Sequence, residues 1–167
     1  GEGVLSVKNF AFTTEEGFRM LLGFLYRFDA EMHTLEIKAS DDIPLAALID
    51  TPYEVQCSVG NPYMLRALNT EEVLKAMRRG DFGRFVIEVA DDFLPDNAGR
   101  WLVEPGKAEP TQLSPDLRMG VQAFSQLVCG YTDLASARFR RDVEILTENP
   151  APARAFVKKP LYVGYYY

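Results

Sequence analysis

Between residues 85 and 107 the chain alternates in polarity and is broken twice by turn-forming residues, the pattern of an antiparallel sheet. Phe85, Ile87 and Val89 alternate with Val86 and Glu88. Leu94-Pro95-Asp96-Asn97-Ala98-Gly99 is a turn, Trp101 and Val103 resume the alternation, and Glu104-Pro105-Gly106-Lys107 turns the chain back again. Strands joined by connections this short pair with their sequence neighbours, so the spacing predicts a meander and rules out a purely helical chain.

The flanks add helices. Thr70 caps a predicted helix with Glu71 and Glu72 in its first turn, Arg78 and Arg79 in its last and Gly80 just past its end. Residues 117–121 lead into a helix over 122–129, with Phe124, Leu127 and Val128 on its apolar side and Gly130 as its stop. Short helices are predicted over 133–141 and 143–148, and Pro150-Ala151-Pro152-Ala153 breaks helix. The first third reads differently. Residues 4–12 form a strand, and Thr13 with Glu16 makes a capping box for a helix whose face carries Phe18, Leu21, Leu22, Leu25 and Phe28. Residues 35–38 are a second strand, Asp41-Asp42-Ile43-Pro44 opens a short helix to Leu48, and residues 54–59 are a third strand closed by Gly60-Asn61-Pro62. That β-α-β-α-β order favours an α/β sheet. Aromatic residues at 12% are enough to fill a core in each part.

Several function classes recede. A net charge of −6, with basic residues mostly scattered, repels phosphate backbones, so no nucleic acid partner is expected. No apolar run approaches the roughly 20 residues that span a bilayer, and no basic-then-apolar leader opens the chain, so no membrane partner is expected and a cytoplasmic location is. Cys57 and Cys129 lack CxxC spacing and are expected as buried free thiols. His33, the only histidine, is expected at a strand edge rather than in a metal site. Asp91, Asp92, Asp96 and Asn97 lack the glycine and twelfth-position glutamate of a calcium loop and are expected as a solvated turn. Arg138, Arg140 and Arg141 are the densest basic run and are expected on a charged helix surface. The three closing tyrosines favour a docked tail.

Two ordered stretches carry a family resemblance. Asp92-Phe93-Leu94-Pro95-Asp96-Asn97-Ala98-Gly99-Arg100-Trp101-Leu102, followed by Pro115-Asp116-Leu117-Arg118-Met119-Gly120-Val121-Gln122-Ala123-Phe124-Ser125-Gln126-Leu127-Val128-Cys129-Gly130-Tyr131, resembles the C-terminal, sterol-carrier-like domain of the enhanced intracellular survival (Eis-like) acetyltransferases. Upstream, residues 7–28, Pro44-Leu45 and Pro62-Tyr63-Met64-Leu65-Arg66-Ala67-Leu68-Asn69 resemble the latter half of that family's second GNAT domain and its join to the C-terminal domain. The resemblance implies an α+β fold, with a partial GNAT-type α/β sheet over residues 1–62 and a sterol-carrier-like domain over 63–167 that has a mostly antiparallel sheet, helices and a docking tail.

It also implies that the chain is the non-catalytic C-terminal part of an acetyl-CoA-dependent N-acetyltransferase. Its partners would be an N-terminal GNAT domain of the same protein and further copies of itself in a homo-oligomer. In the family the extreme C-terminus enters the active site of the first GNAT domain. That assigns the terminal carboxylate of Tyr167 as the base, with Tyr166 and Tyr165 lining the acceptor pocket. No cofactor is expected in this chain alone. The phosphate-holding Arg/Gln-x-x-Gly-x-Gly/Ala loop is missing, and Arg79-Gly80-Asp81-Phe82-Gly83 has its glycines at other offsets and follows a helix instead of opening one. An autonomous lipid or sterol carrier, which needs an open apolar tunnel, and an interaction module are the alternative readings.

Overall fold

A computed structural model describes residues 3–40, 43, 45–60, 64–78 and 80–161. The chain divides into two units, residues 1–59 with Leu161, and residues 60–160. The fold is mixed α+β, as expected.

In the first unit β1 (Val4–Val7) and β2 (Thr34–Ile37) pair in parallel, Val4 opposite Thr34 and Val7 opposite Ile37, with α1 (Glu15–Tyr26) as the crossover. The first strand stops short of the expected residue 12 because the chain turns aside to build an aromatic cluster. Phe10, Phe12 and Phe18 meet at ring-centre distances of 4.9 to 6.0 Å, with Phe10 and Phe18 buried. The cap of α1 is Thr14, not Thr13: Thr14 Oγ1 accepts the Gly17 N–H at 3.0 Å. Leu45–Ala47 is a single 3-10 turn where a short helix was expected, and Asp41, Asp42 and Pro44 lie outside the described residues. The expected third strand over 54–59 does not form. Pro52–Glu54 is another 3-10 turn, and residues 55–59 have no regular structure. Asn61, Pro62 and Tyr63 lie outside the described residues.

The second unit holds a five-stranded sheet in the order β5-β4-β3-β6-β7. The meander is present: β3 (Phe85–Ala90), β4 (Gly99–Glu104) and β5 (Lys107–Pro110) pair antiparallel, with Ile87 opposite Trp101 and Val103 opposite Ala108. β6 (Leu117–Gly120) then runs parallel to β3, and β7 (Val143–Ile145) closes the far side antiparallel to β6. The helix expected over 143–148 does not form: its first three residues are β7 and residues 146–148 have no regular structure. Met119 and Leu117 align with Val143 and Ile145, and ladder pairing overrides the weak local pattern of so short a segment.

One face of the sheet is apolar, and Phe85, Ile87, Val89, Val103, Leu117 and Met119 are buried there with α3 (Val121–Cys129), whose Phe124 and Leu127 complete the core. The opposite face carries a ladder of charges across four strands. Arg100 reaches Glu88 at 2.6 Å, Arg118 reaches the other oxygen of Glu88 at 3.0 Å, and Arg118 also reaches Glu144 at 3.2 Å. The Arg100 hydrogen bond first, with Arg118 behind it, holds the Glu88 carboxyl below its usual range.

Helix ends account for the other departures. α2 (Thr70–Lys75) is capped by Asn69, whose Oδ1 accepts the Glu72 N–H at 3.0 Å, so Thr70 is its first helical residue and not its cap. The helix also ends at Lys75, leaving Arg78 and Gly80 outside it, while Arg79 lies outside the described residues. α4 (Leu134–Ala137) is capped by Asp133 and shorter than expected. The prolines at 150 and 152 begin α5 (Ala151–Ala155) instead of breaking a helix, because a proline at a helix start gives up an N–H that has no intrahelical partner.

Gly130 ends α3 in the left-handed region (φ 82°), and the Tyr131 N–H bonds back to Gln126 O at 3.0 Å. A Cβ here would also stand 2.7 Å from Lys159 Cβ. Gly130→Ala is therefore expected to lower unfolding free energy by about 1–2 kcal/mol, read from urea denaturation. A variant as stable as the parent would show that neither constraint operates.

Candidate functional site

In the turn at 91–97 Asp92 and Asp96 are exposed, as expected, but Asp91 and Asn97 are buried and form the polar centre of the second unit. The Asp91 side chain is 1% exposed, and every direction around its carboxylate is met. Oδ1 accepts the Phe93 N–H at 3.0 Å, the Leu94 N–H at 2.9 Å and Arg66 Nη2 at 2.6 Å, while Oδ2 accepts Asn97 Nδ2 at 2.9 Å. Burial pulls the Asp91 pKa upward. The hydrogen bonds from Asn97, Leu94 and Phe93 and the charge of Arg66 outweigh that pull and lower it to about 2.

Asn97, also buried, passes the connection on. Its Nδ2 donates to Ala67 O at 2.9 Å, and its Oδ1 accepts the Thr70 N–H at 2.6 Å. Thr70 Oγ1 lies 2.8 Å from both the backbone and the side-chain oxygen of Asn97. The Ala67 N–H donates to Ser125 Oγ at 2.9 Å, and Ser125 in turn donates to Val121 O. Residues 66–70 are thus fastened to the β3–β4 connection on one side and to α3 on the other. Among the described residues no buried side-chain nitrogen or oxygen lacks a partner.

Two concavities flank this network. The first, of about 450 Å³, is an open groove beside α2, α3 and α5, with Val73, Met77, Phe82, Val128 and Ala155 in its apolar lining and Arg66, Arg78 and Lys159 as its charged residues. The second, of about 400 Å³, lies where β3 and β6 end and α3 begins, and its lining carries more acids than bases: Asp91, Asp92, Asp142 and Glu144 against Arg66 and Arg118. Asp142 is further engaged by Arg140, which approaches both carboxylate oxygens at 2.8 and 2.9 Å and also reaches Gln126 at 3.1 Å. Of the expected basic surface, then, Arg140 is half-buried and tied to Asp142 and Gln126. Arg138 caps the end of α4 and lies over the Phe139 ring at 6.0 Å, and Arg141 follows the helix.

The remaining expected residues lie elsewhere. Tyr165, Tyr166 and Tyr167 fall outside the described residues. Cys57 is exposed, against the expectation of a buried thiol, because the strand over 54–59 that would have carried it into a sheet does not form, while Cys129 is half-buried at the edge of the groove. His33 immediately precedes β2, its N–H bonded to Gly3 O. Among the described residues no three histidine, cysteine or acidic side chains gather to hold a metal, and no helix is long and apolar enough to cross a membrane. Gly80 and Gly83 both have positive φ in the connection after α2 and cradle no helix start.

Residues 70–162, which hold the five-stranded sheet and α2 to α5 but begin after Arg66 and Ala67, match the family described as "Sterol carrier protein domain", and the chain belongs to that family. Among solved structures it is similar to Eis1 from Mycobacterium abscessus, with a TM-score of 0.83 and 27% identity over 98% of this chain and 44% of that one. A GCN5-related N-acetyltransferase from Kribbella flavida shares the fold with a TM-score of 0.73 and 21% identity, over 100% of this chain and 44% of that one. A probable N-acyltransferase from Enterococcus faecalis V583 does so with a TM-score of 0.74 and 22% identity, over 96% of this chain and 43% of that one. The chain therefore spans less than half the length of each. No match is found among curated proteins.

Because the Asp91 carboxyl titrates near 2 in the folded chain and near 3.8 when free, its contribution to stability is complete above the free value and is lost as pH falls from about 4 toward 2. Asp91→Asn is expected to be less stable than the parent at pH 6 and to lose less of its urea midpoint between pH 6 and pH 3. Identical acid sensitivity in the two proteins would contradict this placement of the charge.

Proposed function

We propose that this chain is the non-catalytic C-terminal portion of an Eis-like, acetyl-CoA-dependent N-acetyltransferase. The observation that carries the reading is the asymmetry of the match to Eis1, nearly the whole of this chain against 44% of that protein. The first unit supports it physically. A parallel pair of four-residue strands with one crossover helix is too small to cover its own faces, and α1 leaves Met20 68%, Phe24 55% and Tyr26 75% exposed. A larger sheet contributed by preceding sequence would supply the missing cover.

In this reading the second unit is the scaffold, and the chain end beyond Leu161 delivers the Tyr167 carboxylate to an N-terminal GNAT domain, with Tyr165 and Tyr166 beside the acceptor. A carboxylate in a partly dry site next to an ammonium group both binds that group and accepts its proton. Eight residues from Pro160 reach roughly 26 Å when extended, enough to cross to a neighbouring domain. The cofactor belongs to that absent domain, and the assembly contains further copies of the chain.

This chain alone is expected to give no binding heat with acetyl-CoA in calorimetry, and micromolar binding would overturn the reading. In the complete enzyme, one glycine appended after Tyr167 moves the terminal carboxylate by about 3.5 Å without deleting a side chain. Since a misplacement of ~1 Å costs about a hundredfold in rate, turnover should fall at least that far, while Tyr167→Phe should remain mild. Equal turnover in the extended and native enzymes would exclude the carboxylate as base.

A further inference from the structure

The groove beside α2, α3 and α5 has a charge pattern opposite to that of the chain. The protein as a whole carries a net charge of −6, yet Arg66, Arg78 and Lys159 line this groove and no carboxylate does. Arg66 is engaged by Asp91. Arg78 and Lys159 are exposed, and among the described residues neither side chain has an ion-pair partner. The alkyl stem of Lys159 lies against Gly130, where any Cβ would displace it.

Shape narrows the occupant further. The groove is partly open, so it suits a ligand with one apolar face and one wet face. Its volume of about 450 Å³ accommodates about three leucine-sized side chains, the number that a helix presents at positions i, i+3 or i+4, and i+7. We propose that this groove docks the apolar face of an acidic amphipathic helix from a partner protein. Apolar side chains of the helix would sit on Val73, Met77 and Val128, with its flanking carboxylates on Arg78 and Lys159. The inference is independent of the acetyltransferase reading, since neither the cofactor nor the chain end enters it.

The probe is a synthetic, fluorophore-labelled helix of about 18 residues, held helical by a hydrocarbon staple on its outer face, with leucine at those positions, glutamate at the positions flanking them and alanine elsewhere, titrated with the full chain by anisotropy. A second peptide carries lysine in place of glutamate, and sodium dodecanoate is titrated separately. Saturable binding of the glutamate peptide is expected, at least about tenfold tighter than the lysine peptide and weakened by added salt. Arg78→Glu with Lys159→Glu should weaken it at least about tenfold, and the glutamine pair should fall between, with thermal unfolding followed by circular dichroism near the parent in both. Equal affinity for the two peptides, unchanged affinity in the charge-reversed protein, or no saturable peptide binding would overturn the proposal. Saturable dodecanoate binding without peptide binding would overturn it in favour of a lipid anion.

Discussion

A carboxylate withdrawn from water must be answered by donors from every side, and in the second unit Asp91 is answered from three separate parts of the chain. Two backbone N–H groups come from its own turn, one amide from Asn97 across that turn, and one guanidinium from Arg66 well upstream. Losing any one of them leaves a buried polar atom without its hydrogen bond, which costs more than a typical bond contributes. The arrangement therefore has one low-energy form, and that form locates residues 66–70. Those residues set one wall of the groove, because Arg66 and Ala67 both line it and Ala67 is tied to Ser125 on α3. The shape of the groove follows from the Asp91 network and not from apolar packing alone.

The sheet divides its labour by face. The inner side carries the apolar residues that α3 covers, and the outer side carries Glu144, Arg118, Glu88 and Arg100 in alternating charge across neighbouring strands. Such a ladder suits water, and it favours the observed strand order because each charge meets an opposite one only in that register. The first unit is organised differently, by three phenylalanine rings and a short parallel ladder, and exposes apolar side chains on α1. A structured core in one unit and an uncovered crossover in the other is the physical pattern behind the proposal that the chain is part of something longer.

How much of this was legible in the sequence depends on how local the cause was. The meander was readable because alternation and Gly106 act over a few residues, and Gly106 does adopt positive φ in the turn. The β7 strand was not, since Val143-Glu144-Ile145 is too short for a period and is made a strand by its partner Met119–Leu117. In the turn at 91–97 Asp92 and Asp96 are exposed, as acidic residues ordinarily are, whereas the burial of Asp91 has no local signal. Nothing near Asp91 in sequence reveals that Arg66, 25 positions away, is waiting for it. The expected strand over 54–59 had the right residues but no neighbour to pair with among the described residues. The family resemblance carried the fold further than local patterns did, while the roles assigned to Tyr165, Tyr166 and Tyr167 rest on it alone.

The proposal that this chain belongs to a longer acetyltransferase is tested most directly by the reading frame that encodes it. Sequencing upstream of the Gly1 codon is expected to continue in frame and to encode an Arg/Gln-x-x-Gly-x-Gly/Ala loop placed between a strand and a helix, where backbone N–H groups can hold a pyrophosphate. An initiation codon directly before Gly1, or a long in-frame extension without such a loop, would contradict it.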